Sequence, residues 1–135
     1  YSKDGDIMKK FHTRDGMGVN MLKRKGIPTI IVTKEKTQMV KKWAKKMNIE
    51  HVYDGIQQKE TILKIISKKH NVKTSEVGYI GDDVNDLELL KMVGFSATPN
   101  DGILEAQKIV HYICKKNGGE GAFREVVDII LSNKI

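Results

Sequence analysis

Three aspartates crowd the stretch Gly81-Asp82-Asp83-Val84-Asn85-Asp86, directly after the apolar run Val77 to Ile80. A short apolar run bounded in this way reads as a buried strand. The acidic loop then stands at the carboxyl end of that strand, where ligands bind in open α/β sheets. Hard divalent cations such as Mg²⁺ take oxygen ligands and keep several waters, so one or two carboxylates and a substrate phosphate complete a common site. Asp82 and Asp83 are the candidate metal ligands.

Two other residues follow apolar runs in the same manner. Thr33 succeeds Ile27 to Val32, and Lys59 comes soon after Val52-Tyr53. A threonine hydroxyl can hydrogen-bond a phosphate oxygen, a lysine ammonium can offset its charge, and a cation on Asp82 can bridge to another oxygen. Such a set would stabilise a phosphoryl group during transfer. Each signal alone is weak, since a threonine after a strand is commonly a cap and a lone lysine is commonly solvated. Their order along the chain is the stronger signal.

Positioning these residues requires a sheet with helices between its strands. From residue 26 onward, apolar runs of strand length alternate with segments of helical period, the pattern of βα units and a parallel sheet. A helix starting near Asp15 is expected to end at Gly26, followed by a β-branched strand over 27–32. Met39, Val40, Trp43, Ala44 and Met47 trace the buried stripe of the next helix. Ile62, Leu63 and Ile66 mark a second stripe, and Leu87, Leu90 and Met92 a third. Further strands are expected over 51–53, 77–80, 95–98 and 109–113, with a last helix over 122–131. At the amino end, Asp4-Gly5 sits between two short candidate strands and reads as a hairpin turn. The expectation is one domain over 1–135, with a flap hairpin over 1–13 and a glycine-bearing tail and helix over 115–135.

Size and composition agree with a single α/β domain. The chain has 135 residues, 39% of them hydrophobic and 30% charged, with no apolar run near the length of a membrane span. A cytoplasmic protein with no membrane partner is expected. Cys114 is the one cysteine, so a disulfide within the chain is excluded, and its apolar run suggests a buried thiol. His12, His51, His70 and His111 lack zinc-site spacing and receive no role. The net charge of +7 rests mostly on lysine, with arginine only at Arg14, Arg24 and Arg124. Lys41, Lys42, Lys45 and Lys46 flank an apolar stripe, away from aromatics that could stack bases. They read as a solvated helix face, and no nucleic-acid partner is expected. The excess charge would draw anionic substrates without specifying one.

The order Thr33, Lys59, Gly-Asp-Asp-x-Asn-Asp resembles motifs two, three and four of the haloacid dehalogenase superfamily of phosphohydrolases. Phe11-His12-Thr13-Arg14-Asp15-Gly16, Gly26-Ile27-Pro28, Thr33-Lys34-Glu35-Lys36-Thr37, Tyr53-Asp54-Gly55 and Gly118-Gly119-Glu120-Gly121-Ala122-Phe123-Arg124-Glu125 resemble its small cap-less branch. That branch holds the 3-deoxy-D-manno-octulosonate 8-phosphate phosphatases, the phosphatases of nine-carbon 2-keto-3-deoxy sugar acid 9-phosphates, and the carboxyl-terminal domain of acylneuraminate cytidylyltransferases. The resemblance implies a Rossmann-like three-layer parallel sheet with a β-hairpin flap and no cap domain. It implies a Mg²⁺-dependent phosphatase for a phosphorylated sugar acid. Thr33 and Lys59 would bind the phosphoryl group, Asp82 would ligate Mg²⁺, and Asp83 and Asp86 would orient water, metal or the lysine. It also implies a homotetramer, with the tail of one subunit over another's site. Arg124 could then meet a substrate carboxylate, or pair with Glu120 or Asp128 on its own helix.

Two departures stand out. The Asp-x-Asp-Gly motif of the branch's first strand, whose first aspartate is the nucleophile and whose second is the acid and base, is missing. The chain opens at Tyr1 where the flap would start, just after that motif. The expectation is therefore that the central first strand belongs to the complete protein, and that this chain is inactive alone. Its removal would leave strand edges unpaired. Second, Thr33-Lys34-Glu35 stands where the branch often has Thr-Gly, and Glu35 lies where octulosonate enzymes commonly carry arginine. Lys34 and Glu35 are thus candidate substrate contacts leaning toward a nine-carbon acid, against the alternative of a solvated turn. A non-catalytic tetramerisation domain of a cytidylyltransferase-like protein is the competing reading.

Overall fold

The computed structural model describes residues 13–36 and 38–133. The expected flap hairpin therefore lies outside the described residues, except that Thr13 already opens helix α1 (Thr13–Arg24). Gly26 adopts φ +77° just past that helix, and the Lys25, Gly26 and Ile27 amides turn back onto the carbonyls of Leu22 and Lys23. This is the left-handed helix ending that glycine permits without strain.

The chain then alternates strand and helix. Strand β1 (Ile30–Val32) leads to α2 (Gln38–Lys46), and β2 (His51–Tyr53) leads through a 3₁₀ turn at Lys59–Thr61 into α3 (Ile62–His70). Strand β3 (Gly78–Ile80) leads through a 3₁₀ turn at Val84–Asp86 into α4 (Leu87–Met92). Then follow β4 (Phe95–Thr98), α5 (Leu104–Ile109), β5 (Tyr112–Ile113) and α6 (Ala122–Asn133).

Every strand pair among the described residues is parallel, as helical crossovers demand. Among the described residues they form two sheets, β1-β2 and β3-β4-β5. Val32 lies opposite Tyr53, Ile80 opposite Ala97, and Thr98 opposite Ile113. β1 and β3 are each paired on one side only among the described residues.

Helix α6 joins the two halves. Its Ala122 and Val126 pack with Ala97 and Cys114 under the three-stranded sheet, while Phe123 packs with Val19, Ala44 and Ile49 beside β1 and β2. Gly18 lets α1 approach closely, since a Cβ there would stand 3.1 Å from Val127 Cγ2. Leu63, Leu90 and Val127 are fully buried, and each such side chain contributes about 1.5–3 kcal/mol relative to exposure.

Several boundaries differ from expectation. β1 starts at Ile30 rather than Ile27, because the Ile27 amide caps α1 and Pro28 has no amide to donate. β5 covers only two residues of the expected 109–113, because Ile109 ends α5, a helix the sequence pattern did not reveal, Val110 caps it, and His111 donates its amide to Ser96 O. In α4 the core residues are Leu89 and Leu90, and Met92 is exposed. The 3₁₀ turn ahead of α4 sets its phase.

Candidate functional site

The loops after the five strands are sewn to one another by hydrogen bonds. Between β1 and β2, the Thr33 amide donates to Tyr53 O at 2.9 Å, Ile56 N to Thr33 O at 3.0 Å, and Gly55 N to Glu35 O at 3.1 Å. Between β3 and β4, Ile103 N donates to Asp82 O at 3.0 Å. Between β4 and β5, Asn100 N donates to Lys116 O at 2.9 Å and Gly118 N to Asp101 Oδ1 at 2.8 Å. Across this rim, Lys59 Nζ on the turn after β2 lies 2.8 Å from Asp86 Oδ1 on the turn after β3, and both side chains are largely removed from solvent.

Asp86 organises the acidic loop. Its Oδ2 accepts the amides of Asp82 at 2.9 Å and Asp83 at 3.1 Å, and its Oδ1 accepts Tyr79 Oη–H at 2.5 Å as well as Lys59. A buried carboxylate is tolerated only when its charge and lone pairs are met in this way. Gly81 makes the fold-back possible, because a Cβ there would lie 2.6 Å from both Cβ and Cγ of Asp86. Asp83 caps the 3₁₀ turn, its Oδ1 accepting Val84 N at 2.7 Å.

Thr33 Oγ1 accepts Glu35 N at 3.1 Å, a local turn bond that leaves the hydroxyl proton directed elsewhere. Lys34 and Glu35 are exposed in the loop after β1. Of the two alternatives for Arg124, the structure forms the in-helix pair, with Nε 3.0 Å from Asp128 Oδ1. The glycine-bearing segment after β5 is tethered: Glu125 accepts the Lys115 and Lys116 amides and the Tyr112 hydroxyl. Burial raises the Glu125 carboxyl, but the Tyr112 hydroxyl and the two amides outweigh it and hold it below its ordinary value. Gly119 and Gly121, at φ +77° and +105°, shape that turn. Cys114 is buried, and burial followed by the Glu125 charge pushes its thiol up to about 12.

The donor set discriminates between cations. Among the described residues no group of three or more His, Cys, Asp and Glu side chains could enclose a metal. An exposed Asp82 on a stitched loop suits an ion that keeps waters and takes phosphate oxygens, as Mg²⁺ does, and does not suit a closed zinc site. An open cleft of about 490 Å³ lined by Lys23, Lys41, Lys45, Asn48 and Glu50 includes none of the candidate site residues. Sequence reasoning missed Tyr79, which meets Asp86, and Asn100 and Asp101, which stitch the rim. Only Tyr79 left a signal, a polar-tipped aromatic one residue before the strand end that carries the acidic loop.

Residues 43–126 match the sequence profile of the haloacid dehalogenase-like hydrolases. The chain is similar to the 3-deoxy-D-manno-octulosonate 8-phosphate phosphatase of Haemophilus influenzae, at 30% identity over 97% of this chain and 73% of that one. Similarity to the Yersinia pestis enzyme of the same name is 32% identity over 94% and 68%. A crystal structure of the Moraxella catarrhalis phosphatase, in complex with a magnesium ion, a phosphate ion and a KDO molecule, superposes with a TM-score of 0.87. The two chains are 37% identical, with 90% of this chain and 70% of that one covered. The cobalt-bound Haemophilus influenzae form gives a TM-score of 0.87 at 30% identity, with coverages of 90% and 71%.

Proposed function

The chain belongs to the haloacid dehalogenase-like hydrolases, and on that premise we propose that it serves a Mg²⁺-dependent phosphatase acting on a 3-deoxy-octulosonate 8-phosphate-type sugar acid. The observation that carries this reading is the Lys59–Asp86 contact. It brings the lysine after β2 within one carboxylate of the Asp82-Asp83 loop after β3. Glu35 had pointed toward nine-carbon acids, but the relatives named above are octulosonate 8-phosphate phosphatases, and the eight-carbon ester is the substrate we assign.

In this reading Thr33 donates its hydroxyl to a phosphate oxygen, and Lys59 offsets the phosphate charge from a position fixed by Asp86. Asp82 would hold the cation, with Asp83 setting the turn that presents it. The cation, when bound, supplies positive charge to the phosphate oxygens. A strand between β1 and β3 would end among these residues, and both strands have an unpaired side among those described. We assign the Asp-x-Asp pair to such a strand. Its first carboxylate attacks phosphorus as the sugar oxygen leaves, and water then cleaves the aspartyl phosphate. Lys34 and Glu35 are assigned to the sugar acid, as is Arg124 in exchange for its in-helix partner Asp128, with a homotetramer as the assembly and the cytoplasm as its location.

The test is release of inorganic phosphate from 3-deoxy-octulosonate 8-phosphate by the complete polypeptide with Mg²⁺. Turnover that Asp82→Ala abolishes is the expected result. Undiminished turnover in that variant rejects the assignment, and an inactive complete polypeptide favours the non-catalytic tetramerisation reading.

A further inference from the structure

We propose that Tyr79 is a positioning residue for Lys59, its hydroxyl sharing Asp86 Oδ1 with the lysine ammonium so that the ammonium stays available to an anion. The proposal rests on the phosphatase reading above for the identity of that anion.

Two donors meet on one oxygen. Tyr79 Oη lies 2.5 Å and Lys59 Nζ 2.8 Å from Asp86 Oδ1, while the Asp82 and Asp83 amides occupy Oδ2. An ionised carboxylate offers about four lone-pair directions, and four donors use them. Every donor that meets the carboxylate stabilises its charge and lessens what it must draw from the others. Without the tyrosine, Lys59 would be the only side-chain donor to this carboxylate, and the ion pair would tighten.

The hydroxyl is held in place from below. Tyr79 packs against the buried cluster formed by Leu63 of α3, Leu89 of α4 and Val93 just past α4. Those two helices are headed by the 3₁₀ turns that carry Lys59 and Asp86. The ring is therefore wedged between the elements whose first turns it connects. Burial, then the charges and hydrogen bond of Asp86 and the charge of Asp82, push the hydroxyl well above its ordinary value. It is a permanent donor at any pH a phosphatase meets. Reorienting a lysine between a resting carboxylate and an incoming phosphate needs a partner that neither releases the carboxylate nor moves itself, and Tyr79 has both properties.

Tyr79→Phe keeps the ring and deletes only the donor. The probes are inorganic phosphate with Mg²⁺, read by calorimetry, and hydrogen exchange of the Lys59 ammonium, read by ¹⁵N-edited NMR. The expected result is phosphate affinity about three- to tenfold weaker, the size of one hydrogen bond, together with slower ammonium exchange. In a Lys59→Met background, Tyr79→Phe should change phosphate affinity no further, as a contact acting through Lys59 requires. Unchanged affinity and exchange, or an equal loss in the Lys59→Met background, overturns the proposal. If the Phe variant fails to fold, 3-fluorotyrosine at position 79, a stronger donor, must move both readouts the opposite way. Absence of any phosphate binding by the unaltered protein counts against the phosphatase reading, and ammonium exchange then decides the role of Tyr79 alone.

Discussion

Lys59 Nζ stands 2.8 Å from Asp86 Oδ1 although 27 residues separate them in the chain. Their contact unites a threonine-and-lysine half, built on β1 and β2, with an acidic half built on β3. A pair this far from solvent is asymmetric in its consequences. The carboxylate has four donors to strand, whereas the ammonium has the one carboxylate partner described above.

Asp86→Ala should accordingly cost more than Lys59→Met. Removing the carboxylate leaves a buried ammonium and two loop amides without their acceptor, a loss of about 3–5 kcal/mol for one side of a buried pair. Lys59→Met leaves Asp86 with three donors and should cost about 1–2 kcal/mol. Urea unfolding of both variants, at unchanged slope, checks the order.

Gly81→Ala places a methyl group 2.6 Å from Asp86 Cβ and Cγ. Something must shift, and overpacking of this kind costs about 1–3 kcal/mol. The displaced carboxylate should also release Lys59. A lowered unfolding midpoint together with lost phosphate binding is the expected pair of results, and a midpoint equal to that of the parent protein would contradict the geometry.

Glu125 predicts an acid-sensitive element. Its folded value is held below the ordinary carboxylate range, so its contribution is present above the unfolded value of about 4.3 and fades as pH falls through the folded one. The stability gap between the parent chain and Glu125→Gln should be full at pH 7 and closed in strong acid. Urea titrations at those two extremes measure it.

Cys114 should be inert while the chain is folded. Its thiol is buried, pushed up to about 12, and sits 3.7 Å from Ala122 O. The thiolate is the reactive form. A disulfide reagent at pH 8 should therefore label it only after denaturant is added, and rapid labelling of the native chain would refute the burial.

Much of this arrangement was legible beforehand. The alternation of apolar runs located five strands, and the aspartate-rich loop, Thr33 and Lys59 were found by their position after three of them. What escaped was set by tertiary contact. α5 is a single short helix of Leu104–Ile109 with too few turns to print a period. The phase of α4 follows from the capped turn at Asp83, so Leu89 rather than Met92 faces inward. The division of Asp86 between Lys59, Tyr79 and two amides has no local pattern, because its partners are brought in by β3 and the turn before α3.

Helix α6 touches both strand groups, and among the described residues no ladder of backbone bonds runs from one group to the other. Alignment of the acidic half with the threonine-and-lysine half is thus a question of how two plates sit on one common axle. Trimming Val127, at the point where that axle bears on α1, would let the plates twist relative to one another, and the Lys59–Asp86 pair that spans them would register the twist first.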